Sequence, residues 1–260
     1  MPGMTLSPKA FQNKIFTWWK KNKRDLPWRH THDPYKIVVS EVMLQQTQVS
    51  RVLPKYKEFL HHFPTLKSLA NASPADVLRA WKGMGYNRRA LYLQKTAKAG
   101  KLPKIESELV KLPGLGKYTA RAILVFAYRQ NVAMVDTNIR QIITHFFFED
   151  KPQSEKTIQE IADQLLPKGK AWEWHQALMD YGALELVRIR KPTKQTIPFH
   201  QTNRYFRGQI INRLREKSQS EKQLLRNLDK SKKELRAILK DLIADGLITR
   251  SKTGIISLPE

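Results

Sequence analysis

From Phe11 to about Val187, apolar side chains return every third or fourth residue, and no stretch alternates convincingly with a period of two. A chain patterned this way buries helical stripes against one another, which excludes a sheet-based architecture for its first two thirds. Ser7 and Pro8 supply an N-cap and a first-turn proline, and Phe11, Ile15, Trp18 and Trp19 then share one helix face. The same spacing predicts helices over Gln48–Leu60, after the Ser73-Pro74 cap, and over Arg88–Lys98, Lys117–Tyr128, Thr137–Phe147, Ser154–Leu166 and Ala171–Val187. Pro192, Pro198 and polar neighbours break the rhythm over Arg188–Asn203, which reads as a linker or surface crossing. Beyond it, Arg204–Arg215, Ser220–Asn227 and Ser231–Ala244 read as three helices, the last closed by Gly246. Leu247–Arg250 and Ile255–Leu258 flank Ser251–Gly254, which is hairpin chemistry, so the tail has the order of a winged helix-turn-helix. A solvated helical cap with a fraying end is the alternative for this tail on charge alone.

The charge narrows the class of partner. Among 260 residues, 47 are Lys or Arg and 23 are Asp or Glu, a net +24, and from Arg188 onward 18 basic residues face 7 acidic ones. This is the footprint of a polyanionic partner, nucleic acid ahead of an anionic membrane surface. With 41% hydrophobic residues the chain has material for a packed interior, which excludes a disordered basic tail. No apolar run reaches the length of a membrane span, and Met1–Phe11 lacks a signal-peptide core, so a cytoplasmic, nucleoid-associated protein is expected. The absence of cysteine removes disulfides, thiolate nucleophiles and thiolate-ligated metal centres. The seven histidines lie in no cluster of metal-ligand spacing, so no metal site and no role for them is expected.

Two segments carry chemistry. In Leu112–Ala120, Gly114 and Gly116 open directly into a helix, where free N–H groups and a close backbone approach suit a phosphate, and Lys117 adds charge. A tight interhelical turn is the plainer alternative, while the lack of a preceding strand argues against a dinucleotide site. In Ala133–Asn138, Asp136 stands at the start of a helix, where it is also a good N-cap.

These residues resemble the helix-hairpin-helix DNA glycosylase superfamily, and most of all its MutY-type adenine DNA glycosylases, from about Lys9 to about Leu186. The blocks that carry the resemblance are Leu26–Arg29, Asp33–Lys36, Ser40–Val49, Gly83–Tyr86, the Gly-x-Gly turn with Asp136, and His175–Ala183. The resemblance implies a mainly α, two-lobed glycosylase fold followed by the small winged-helix-like domain. The implied division is a glycosylase domain over 1–190, with a six-helix module at about 30–135 and a second lobe from the N-terminal helix plus 136–190. A clusterless linker at 191–203 and the winged-helix-like domain at 204–260 complete it.

Breaking an N-glycosidic bond puts positive charge on the sugar and negative charge on the departing purine. By resemblance, Glu41 protonates adenine and then handles water, while Asp136 stabilises or briefly captures the sugar cation, with Asn138 arranging sugar or water beside it. Opposite jobs require a raised pKa at Glu41 and an ionised Asp136. Tyr118 occupies the place that carries the Schiff-base lysine in related bifunctional lyases, which implies a monofunctional enzyme. Arg29, Trp28 and Gln176 are expected around the flipped base; packing is the other reading of Trp28, and of Tyr86. Gln46, Thr47 and Tyr86 are expected to enter the duplex at the orphaned opposite base, and Gly114, Gly116, Lys117, Arg88, Arg188 and Lys191 to contact DNA.

Most members of the family carry four cysteines after the final block, holding a [4Fe–4S] cluster. Here Leu184–Asn203 has none, so no cofactor is expected, apart from an optional structural cation on the hairpin backbone. The expected partner is double-stranded DNA holding a mispair, with adenine opposite 8-oxoguanine or guanine as the target, and a monomer is expected. Excision of thymine or uracil mispaired with guanine is the same-fold alternative, and a catalytically silent DNA-binding protein is the alternative of another class.

Overall fold

The structure, a computed structural model, describes residues 7–186 and 197–260. In chain order the first helices are α1 (Pro8–Asn22), α2 (Pro34–Leu44), α3 (Val49–His62), α4 (Leu66–Asn71), α5 (Pro74–Ala80), α6 (Arg88–Ala97) and α7 (Glu106–Leu109). They continue as α8 (Lys117–Phe126), α9 (Thr137–Phe148), α10 (Glu155–Leu165), α11 (Ala171–Leu184) and α12 (Asn203–Glu216). The last elements are β1 (Gln219–Ser220), α13 (Glu221–Arg226), α14 (Lys232–Ala244), β2 (Thr249–Arg250) and β3 (Ile255–Ser257). The mainly helical expectation therefore holds, and no helix among the described residues is long and apolar enough to cross a membrane.

The chain folds as two compact units. The first gathers described residues 7–41, 103–111 and 115–186. Its core is built where α1 packs on α10 and α11, and α9 on α10 and α11. Phe11, wholly buried, lies edge-on to Phe147 and Trp174 with ring centroids 5.1 and 5.8 Å away. Truncating such a ring to alanine costs about 3–5 kcal/mol. Gly182 on α11 lets α9 approach closely, because a Cβ there would stand 2.7 Å from the Asn138 Cβ. Asp180, one helical half-turn away and fully buried, accepts from Arg24, Arg29 and the Trp19 indole, tying α11 to the chain that follows α1.

The second unit gathers 42–102, 112–114 and described residues 197–260. Here α3 and α6 pack on α5, α4 on α6, and α12 on α5 and α14. Arg215 of α12 donates to the Leu78 carbonyl and the Asn87 amide at 2.9 Å each. The winged order expected of the tail is present: three helices lead to a hairpin, joined by one short strand that sequence did not predict, in the order β1-β3-β2. Gly246, at φ +69°, closes α14 with Leu247 N–H on the Leu242 carbonyl and Gly246 N–H on that of Ile243, a Schellman stop.

Candidate active site

Glu41 lies on α2, a helix started by Pro34 and by the Asp33 carboxylate, which accepts from the Tyr35 N–H at 2.9 Å. Residues 37–43 of α2 are all buried, and Glu41 is 4% exposed among them. Burial raises its carboxyl to about 7; a hydrogen bond from the Tyr118 hydroxyl pulls the value down and the charge of Asp136 pushes it up. A carboxyl held at that value can carry a proton near neutral pH. Tyr118, second residue of α8, is itself held well above its ordinary value, first by burial and then by the charges of Glu41 and Asp136. It stays a phenol and donates.

Asp136 caps α9, accepting from the Ile139 N–H at 2.7 Å and from the Asn138 amide at 3.1 Å. Burial raises its carboxyl while these donors oppose the rise. Cap and candidate catalyst are thus the same group, and more of it is open to solvent than of Glu41. The extended segment that delivers it is pinned by His175, whose Nε2 accepts from the Met134 N–H at 3.0 Å while Nδ1 donates to the Ala171 carbonyl at 2.7 Å. Burial lowers His175 to about 4, so it remains neutral and keeps both bonds. No histidine was assigned a role from its spacing; this one positions the segment that ends in Asp136.

Gln176 follows on α11 and is buried, as is Trp28 in the short 3-10 turn Pro27–Arg29. Arg29, expected at the base, grips Asp180 with two nitrogens at 2.7 and 2.8 Å and donates to the Arg24 carbonyl at 2.7 Å. Burial alone would raise Asp180, but the hydrogen bonds and charges of Arg29 and Arg24 hold it below its ordinary value. Through these bonds Arg29 ties the Pro27–Arg29 turn to α11.

At the hairpin, Gly114 adopts φ +78° with the Tyr92 Cβ 2.9 Å from where its own Cβ would lie, so only glycine fits. Gly116 caps α8 in an ordinary extended conformation with open space around it, and Lys117 is exposed on the first turn. Gln46 and Tyr86 both carry left-handed backbones, φ +54° and +46°. One side chain that sequence reasoning missed holds both loops: the Arg89 guanidinium donates to the carbonyls of Val42, Met43, Gln45, Met84 and Gly85 and to the Thr47 hydroxyl. Arg88, expected on DNA, is half-exposed and paired with Asp245 at 3.2 Å. Arg188 and Lys191 lie outside the described residues.

A thiolate-held iron–sulfur cluster does not fit this chain, which has no cysteine donor. Among the described residues no three His, Asp or Glu side chains gather as a metal site.

Helices that deliver a protonatable glutamate, a capping aspartate and a Gly-x-Gly turn define a class. The chain belongs to the HhH-GPD superfamily of base-excision DNA repair proteins, whose family model matches residues 39–168. It is 40% identical to the adenine DNA glycosylase of Mycolicibacterium smegmatis over 189 residues, 69% of this chain and 63% of that protein. It is 34% identical to the adenine DNA glycosylase of Mycobacterium tuberculosis H37Rv, over 99% of this chain and 96% of that one. A thermostable thymine-DNA glycosylase of solved structure superposes with a TM-score of 0.64 at 31% identity, covering 68% of this chain and 86% of its own.

Proposed function

We propose that the protein is a monofunctional adenine DNA glycosylase of base-excision repair, acting on adenine mispaired with 8-oxoguanine or guanine in double-stranded DNA. The observation that carries the reading is the Glu41–Tyr118–Asp136 constellation: an acid poised near neutrality, a phenol that stays protonated, and a carboxylate ringed by donors. Glu41 gives its proton to the leaving adenine as the glycosidic bond breaks, so the purine departs neutral. The sugar becomes an oxocarbenium-like cation that ionised Asp136 stabilises, and Asn138 keeps that carboxylate oriented. Water adds to the sugar carbon and returns its proton to Glu41. A Schiff base needs an amine where Tyr118 stands, so the DNA backbone is left intact at the abasic site. Similarity to adenine DNA glycosylases over nearly the whole chain supports adenine as the base. The reading includes a cofactor-free, cytoplasmic monomer, with a cation on the hairpin backbone as its one optional addition.

Similarity to a thymine-DNA glycosylase favours a second reading, excision of thymine or uracil opposite guanine. Single-turnover assays on duplexes holding A:8-oxoG, A:G, T:G and U:G pairs separate the two. The adenine reading expects cleavage of the first pair or of the first two, abolished in Asp136→Asn with binding retained. Cleavage confined to T:G and U:G overturns it, as does borohydride trapping that depends on Lys117.

A further inference from the structure

The winged tail presents a charged surface that the glycosidic step does not use. On α14, Leu235, Ile238, Leu239 and Leu242 are buried. At about 100° per residue, the exposed remainder of the helix divides by charge. Lys232, Arg236 and Lys240, each four residues from the next, form one row with Lys233 beside it, while Glu234 and Asp241 lie on the other flank. Glu234 is also occupied: it pairs with Lys230 at 2.8 Å and closes the capping box of Ser231.

The basic row is fastened to the wing. Glu221, first residue of α13, accepts from the Arg236 Nε at 2.7 Å through one oxygen and from an Arg250 guanidinium nitrogen at 2.6 Å through the other. The Glu221 side chain is 12% exposed, against 58% for Arg236 and 42% for Arg250. The carboxylate therefore fixes helix against hairpin from the protein side and leaves both cations facing outward. The hairpin segment 247–258 adds Lys252 at its exposed turn and contains no acidic residue.

These shapes and charges fit one polyanion. A helix with its side chains is about 10–12 Å across and the major groove of B-form DNA about 12 Å wide, whereas that of A-form RNA is too deep and narrow to admit one. A hairpin beside such a helix reaches the adjacent backbone. Lysines are point charges without a fork to match a base edge, and Arg236 has its Nε committed to Glu221. Contacts of this kind hold a duplex without reading it.

We propose that Lys232, Lys233, Arg236 and Lys240 of α14, with Arg250 and Lys252 of the wing, form a second DNA-binding surface that holds undamaged double-stranded DNA by its phosphates, whatever the sequence. The proposal rests on the DNA reading above but needs different DNA: base flipping requires a target base, and this surface requires only a backbone.

The test uses the full chain and a duplex without a mispair. Lys233→Ala combined with Lys240→Ala removes two exposed cations and leaves the Glu221 bridge in place; an unchanged thermal unfolding midpoint verifies folding. Each lysine–phosphate contact adds about 0.9 to the slope of log affinity against log salt, so the double variant is expected to lower that slope by about 2 and to weaken binding more than about tenfold at about 0.1 M salt. Two duplexes of unrelated sequence should show the same loss. Adding Glu160→Lys, on an exposed position of α10 in the other unit, restores the net charge, and the loss is expected to persist. An unchanged slope in the double variant, recovery with Glu160→Lys, or wild-type binding confined to mispaired duplexes would each overturn the proposal alone. Binding of polyglutamate or of an RNA duplex that falls as steeply in the double variant would assign the flank to another polyanion and refute it as well. Failure of the wild-type protein to bind any duplex, mispaired or not, would sink it together with the DNA reading.

Discussion

Replacing Glu41 by glutamine should leave the protein inactive and, at neutral pH, more stable than before. Glu41 is 4% exposed and folding lifts its carboxyl from an ordinary 4.5 to about 7. Below the lower value both folded and unfolded chains hold the proton. Between the two values the unfolded chain releases it and the folded chain keeps it, so each step up in pH favours unfolding. Above the higher value the carboxylate is ionised in both states and the whole deficit is present. The gap from 4.5 to about 7, at about 1.4 kcal/mol per pH unit, amounts to about 3 kcal/mol. Glutamine is nearly isosteric, can accept the Tyr118 hydrogen bond and carries no such penalty. The stability of Glu41→Gln relative to the native protein should therefore rise by about 3 kcal/mol between pH 4.5 and 7 and then level off. Urea unfolding followed by circular dichroism at half-unit pH steps measures this directly. A difference that is flat with pH, or that shrinks as pH rises, would refute the claim that burial keeps Glu41 protonated. The native enzyme's single-turnover rate should fall on the alkaline side of about pH 7 for the same reason.

Arg89→Met should lower stability by about 3–5 kcal/mol, since several buried carbonyls lose their donor, and should release the Gln46 and Tyr86 loops; urea unfolding and limited proteolysis of those loops check it. Asp180→Asn leaves Arg29 and Arg24 facing an uncharged amide in a buried site, an expected cost of about 3 kcal/mol at pH 7 that shrinks as pH falls through the depressed native value of Asp180. Thermal unfolding at pH 7 and pH 3 reads both halves of that statement. Gly114→Ala must strain φ +78° and push a Cβ to 2.9 Å from Tyr92, an expected loss of about 1–3 kcal/mol accompanied by weaker DNA binding in an anisotropy titration.

What could be read from sequence follows from how local each determinant is. Helices α1, α3 and α10 announce themselves because one face is buried and the other wet. The α2 helix that carries Glu41 does not: residues 37–43 are buried on every face, so no period survives in the pattern. The α4 and α7 helices, six and four residues long, are too short to show one. Glu41, Asp136 and Tyr118 were legible because they sit in short motifs. Arg89 and Asp180 were not, since their roles depend on partners that only folding supplies: Asp180 meets Arg24 and Arg29 across 156 and 151 residues of chain. The grip of Arg29 on Asp180 is hidden for the same reason, since the motif that holds the arginine does not reveal its buried partner.

Under the proposed mechanism Asp136 is both the cap of α9 and a catalyst, and that pairing has a further consequence. Asparagine caps a helix about as well as aspartate, so the fold of α9 cannot tell the two apart, and only turnover can. A chain carrying Asp136→Asn would fold, escape proteolytic surveillance and still settle on lesions it cannot process. Such a protein would shield damage from the working copies around it, a dominant defect rather than a simple absence.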